Sequence, residues 1–174
     1  MGQAAIKKIP TIHPVLYILA RSYATDLPSC NPGKLAAQVS HASNAFIHTM
    51  NSNSSSSSPD QARYKELCEC WTLQSNQGFG TVLVLAVNED QMNAAVTVAT
   101  AVGLPAGIVN DPTYPYRVDN EAAQFVDPMY HTFDPIPGDG FTTLFRSENT
   151  CAWVFGLKGD VLLKAVVGKF PLHP

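Results

Sequence analysis

Apolar runs and polar breaks alternate along this chain in a strand and helix order. Residues 15–20 (VLYILA) form an apolar run of strand length, and residues 81–87 (TVLVLAV) form another. The second is apolar without interruption, the pattern of a central strand covered on both faces. Between them the period changes. Leu35, Val39, Ala42 and Phe46 recur at three- and four-residue spacing, which predicts a helix from Pro32 to about Thr49. Asn31 is placed to cap it, Pro32 suits the first helical position, and the alanines that follow are strong helix formers. Residues 51–59 include five consecutive serines and read as a flexible Ser-rich loop. Ser58-Pro59-Asp60-Gln61 then opens a second helix reaching Trp71.

Asn88 can cap a third helix over 89–101, with Glu89 and Asp90 at its positive end. Gly103-Leu104-Pro105-Ala106-Gly107 returns the chain to a strand at 107–109. Residues 112–149 then read as a long irregular insertion, rich in proline and in aromatics such as Tyr114, Tyr116, Phe125, Tyr130, Phe133, Phe141 and Phe145. A strand, a short helix and a short strand close the chain. This alternation predicts one domain over 1–174: an α/β fold of three layers, with a mixed, mostly parallel β-sheet and helices on both faces. In such a sheet, right-handed crossovers bring helix starts and strand C-terminal ends to one edge, where ligands bind. Lys34 and Asp111 are expected to approach each other there.

Composition narrows the class. With 174 residues, 45% of them apolar and 14% charged, the chain has enough material for an ordered core. It contains no apolar run of transmembrane length and no signal-peptide core, so a cytoplasmic protein with no membrane partner is the expectation. Four cysteines at 30, 68, 70 and 151 lack zinc-site spacing and are expected as reduced thiols, and the five histidines make no ligand motif. No metal is predicted. A net charge of −3 with scattered lysines and arginines argues against a long nucleic-acid footprint, although folding can still gather several cations around one mouth.

The chemistry concentrates on the first helix. At about 100° per residue, Lys34, Gln38 and His41 fall within roughly 60° of one another, beside the apolar stripe. A lysine in the first turn opposes the helix dipole at about 0.3–1 kcal/mol, which fits a site that takes an anion. The ordinary alternatives are a solvated lysine and a buried, hydrogen-bonded histidine. Ester hydrolysis needs an activated water and a donor for the oxyanion. Asp111 can orient or deprotonate water, Lys34 can neutralise the oxyanion or hold a phosphate, Gln38 can position the acyl or ribose group, and His41 can shuttle a proton.

The stretch Gly33-Lys34-Leu35-Ala36-Ala37-Gln38-Val39-Ser40-His41-Ala42 resembles G-K-x-A-A-Q-x-x-H-A, the hallmark of the archaeal and eukaryotic type of peptidyl-tRNA hydrolase, the PTH2 family. The resemblance extends over about 14–111 and 149–173. It takes in Asp111, the last long strand at 150–156 and the closing Gly168-Lys169-Phe170-Pro171-Leu172. It implies a hydrolase that needs no metal or cofactor, with functional residues at Lys34, Gln38, His41 and Asp111. Gly33 and Ser40 within the hallmark, with Thr113, Tyr114 and Tyr116 beside the site, are the candidate substrate-binding residues. Two departures stand out. Family members continue D-A-G-x-T where this chain has Asp111-Pro112-Thr113-Tyr114, and their connection after this point is shorter than 114–149.

Three functions compete on these observations. One is a hydrolase of peptidyl-tRNA or of an N-blocked aminoacyl-tRNA. The second is a fold reused to bind, sequester or cleave a small or cyclic nucleotide, with the aromatic insertion as lid. The third is a catalytically silent interaction domain. The expected partners are peptidyl-tRNA or a small nucleotide, and the family's habit of dimerising adds a homodimer. Other hydrolase and nucleotide signatures, including G-x-S-x-G, the Walker A loop and G-x-G-x-x-G, are missing from the sequence.

Overall fold

The computed structural model describes residues 12–22, 26–27, 29–52, 59–123, 125, 131–132 and 140–174. The serines expected in the loop, at 54–58, lie outside them. The elements run β1 (Pro14–Arg21), α1 (Pro32–Ser52), α2 (Pro59–Thr72), β2 (Thr81–Val87), α3 (Glu89–Ala101), β3 (Ala106–Asp119), α4 (Asn120–Ala123), β4 (His131–Thr132), β5 (Phe141–Leu157) and α5 (Val161–Val167). The expected caps form. The Asn31 side chain accepts the Lys34 backbone N–H at 2.9 Å, and Asn88 with Gln91 makes a reciprocal capping box on α3.

The strands lie in the order β2-β1-β5-β3, with β4 also paired to β5. Side chains alternate across the sheet at period two. Leu16, Ile18, Cys151, Trp153 and Phe155 pack against α1 and α2, while Leu19, Ala152 and Val154 pack against α3 and α5. This is the expected three-layer α/β fold with a mixed sheet and helices on both faces. The mostly parallel pairing needs correction, since among the described residues β1–β2 is the one parallel pair and β1–β5, β3–β5 and β4–β5 are antiparallel. The helical crossovers do join strands of one direction, β1, β2 and β3. However, β5 returns the opposite way and inserts between β1 and β3, turning both adjacencies antiparallel.

Two further expectations change. The uninterrupted apolar strand β2 is an edge, not a centre. The C-terminal tail covers it, with Ala86 N–H donating to Pro171 O and His173 N–H to Val84 O, both at 2.9 Å. The described part of 112–149 is not irregular. β3 runs on to Asp119 and pairs with β5 back to Phe141, making a long two-stranded ribbon that β4 joins at mid-length, on Leu144 and Phe145. Its inner face buries Tyr114, Tyr116 and Leu144 against Leu27, a small core of its own.

At the join of sheet and helices, Gly107 sits opposite Trp153 on β5. A Cβ at 107 would meet the indole at 2.9–3.0 Å. That ring is 2% exposed and is held edge-on to Phe46, with centroids 5.5 Å apart, so a Cβ would have to displace a packed indole. Gly107→Ala is therefore expected to cost about 1–3 kcal/mol, as overpacking does, read as a lower urea midpoint at unchanged slope.

Candidate active site

Lys34 and Gln38 stand one turn apart on α1, and both reach β3. The Lys34 ammonium donates to Pro115 O at 2.7 Å and lies 5.2 Å from the centre of the Tyr114 ring. Burial lowers its pKa from the usual lysine value, with the nearby Cys30 pulling the other way.

Gln38, at 5% exposure, lies on the buried line of α1 with Ala42, Phe46 and Met50, not on an open chemical face. Both ends of its amide are engaged. Nε2 donates to Asp111 Oδ2 at 2.8 Å, and Oε1 accepts the Thr150 hydroxyl at 2.5 Å. A carboxylate only accepts, so the amide must turn its nitrogen toward Asp111. The Cys151 thiol donates to the Gln38 backbone carbonyl at 3.2 Å, and burial pushes its pKa up to about 12, which keeps it a neutral donor.

Asp111 lies inside β3, where the register with β5 slips between Asp111 and Tyr114, and not beyond a strand end as expected. The bulge frees the backbone for a local turn in which Thr113 N–H donates to Asp111 Oδ1 at 3.0 Å, with the Thr113 hydroxyl 3.5 Å away. One carboxylate oxygen is thus held by Thr113 and the other by Gln38, and the half-buried group is fixed in orientation.

The structure brings Lys34, Gln38, Asp111 and Thr113 to one edge. His41 is exposed one turn beyond Gln38, and Gly33 and Ser40 are exposed on the same helix. Tyr114 and Tyr116 are a correction. Tyr114 is fully buried and Tyr116 nearly so, edge-to-face at 5.2 Å, leaving no ring face for a ligand to stack on. They alternate onto the inner face of the ribbon and serve as its core.

Beside Asp111 lies a charge network that the sequence reading did not find. Glu148, the cross-strand partner of Asp111, is 7% exposed. It accepts from Arg21, from the Tyr116 hydroxyl at 2.6 Å and from Arg146 Nε at 2.7 Å. Burial alone would raise its pKa, but the bonds from Tyr116 and Arg21 and the charge of Arg146 outweigh it and hold the carboxyl below the ordinary value. Arg21 also donates to Asn149 O at 3.0 Å and pairs with Asp26 at 2.5 Å, tying the end of β1 to β5 and to the loop before α1. The available signal was faint: Arg146 and Glu148 fell in a stretch read as irregular, and Arg21 ended an apolar strand.

A family model described as peptidyl-tRNA hydrolase PTH2 matches residues 15–117, more than half of the chain. The chain belongs to the peptidyl-tRNA hydrolase PTH2 family. The matched stretch contains Lys34, Gln38, His41, Asp111 and Thr113 and stops at Arg117, within the ribbon. No curated protein matches the chain. Among the described residues, no three His, Cys, Asp or Glu side chains group as metal ligands, and no helix is long and apolar enough to cross a membrane.

Proposed function

We propose that the chain hydrolyses the ester between a peptide, or an N-blocked aminoacyl group, and the terminal ribose of tRNA. The observation that carries this reading is the carboxylate of Asp111, held at both oxygens with the Lys34 cation one helical turn from its Gln38 partner. Asp111 takes a proton from water as the water oxygen bonds to the ester carbon. The carbonyl oxygen gains the negative charge, which Lys34 stabilises. Collapse breaks the bond to the ribose oxygen, which leaves with a proton that exposed His41 can relay. Gln38 acts through Asp111, since its amide is engaged inside the protein.

Burial of Tyr114 and Tyr116 removes two of the insertion's aromatics from the stacking surface of the nucleotide-lid reading, while Phe125 and Phe141 stay exposed. The deciding assay is release of tRNA from N-acetyl-aminoacyl-tRNA by the purified protein. Turnover well above the spontaneous rate is expected. Background rates from folded protein would overturn the reading and direct the search to free and cyclic nucleotides.

A further inference from the structure

We propose that Arg117, on the ribbon, binds a phosphate group of the ligand beside Lys34. The two line a single pocket of about 390 Å³ between the start of α1 and the ribbon, together with Ser29, Asn31 and Thr143. Both charged residues in that lining are cations and none is acidic, in a chain whose net charge is −3. Electrostatics of that kind concentrates an anion.

The local structure holds this arrangement in place. Ser29 takes a left-handed backbone (φ 57°), a conformation a serine adopts only at some cost, and its hydroxyl accepts the Arg117 N–H at 3.0 Å. The loop before α1 is thereby fastened to the ribbon at Arg117. Lys34 is fastened two residues earlier, at Pro115 O. Residues 115 and 117 share one side of the strand, opposite the buried Tyr114 and Tyr116. The Arg117 guanidinium carbon lies 4.4 Å from the centre of the Phe141 ring, a cation–π contact that restrains the long side chain before ligand arrives. A guanidinium is the group best shaped for a phosphate, through paired N–H donors.

On the hydrolase reading, which this inference rests on for its source, the phosphate is the last phosphodiester of tRNA. The same chemistry would hold the phosphate of a free nucleotide. The test compares wild type, Arg117→Ala and Arg117→Lys in binding deacylated tRNA and AMP across a salt series, and in hydrolysing N-acetyl-aminoacyl-tRNA. Arg117→Ala is expected to weaken tRNA about tenfold. It should also flatten the slope of log affinity against log salt by about 0.7–0.9 and raise KM with kcat unchanged. Arg117→Lys should keep most of the salt slope. Arg117-dependent tRNA binding without wild-type hydrolysis would sink the hydrolase reading and leave the phosphate site standing. An effect confined to AMP would support the site with a free nucleotide as its source. Unchanged binding of both tRNA and AMP in Arg117→Ala would overturn the inference.

Discussion

Asp111→Ala will lower kcat for N-acetyl-aminoacyl-tRNA by about 10²- to 10⁴-fold, the usual contribution of a positioned general base, with KM changed little. The expectation follows from how much of the surroundings serves this one carboxylate. Gln38 Nε2 and the Thr113 backbone N–H each hold one of its oxygens, and Thr150 holds the far end of the Gln38 amide. Such an arrangement is pre-formed and does not have to be ordered during the reaction. Asp111→Asn will not rescue activity. A carboxamide cannot take the proton from water, whichever way it and the Gln38 amide turn. Gln38→Met should be milder, because the carboxylate remains but one restraint on it is lost. A variant with alanine at 111 that keeps kcat within threefold of wild type, and the same circular dichroism, would sink the assignment of Asp111 as base.

Glu148→Ala will destabilise the protein by about 3–5 kcal/mol, since it strands Arg21 as a buried cation with one fewer partner. In a chain of this size that corresponds to roughly 6–20 °C in Tm. Arg21 keeps Asp26 but loses its most buried partner, so Arg21→Met combined with Glu148→Leu should recover part of the loss. The pH dependence has a definite sign. Glu148 has a folded pKa below its ordinary 4.5, so its stabilisation is fully present above that value and fades as pH falls through the folded pKa. Urea denaturation below about pH 4.5 should show wild type losing stability more steeply than Glu148→Gln. A Glu148→Ala midpoint close to that of wild type would show that the network carries little of the fold's stability.

The parts of this protein legible in sequence are those governed by neighbours along the chain. The helix from Pro32 to about Thr49, its Asn31 cap, the Asn88 cap and the strand at 81–87 all follow from local periodicity and capping chemistry, whereas the last turn to Ser52 and the Gln91 half of the capping box came from the structure. The spacing of Lys34, Gln38 and His41 placed them on neighbouring sides of one helix, and the hallmark they belong to pointed to the family. Local pattern misjudged Gln38, because a glutamine on an exposed line and one buried under a carboxylate look alike until β3 is packed against α1. It misjudged residues 112–119 and 141–149 for a related reason. Proline, tyrosine and charge read as irregular, yet a long antiparallel ribbon needs only alternation, and Tyr114, Tyr116 and Leu144 supply it across about 30 residues of separation.

What the sequence by itself determined is the order of the main elements and the cover of helices on both faces of the sheet. What only the tertiary structure decided is the direction of β5 between β1 and β3, the restraint of both Asp111 oxygens, the Arg21–Glu148–Tyr116–Arg146 network and the pairing of Lys34 with Arg117 around one pocket. The physical reason is the reach of the interactions. Capping and helical periodicity act within a few residues, whereas these bonds join residues such as 21 and 148, or 38 and 150, that only the closed sheet brings together.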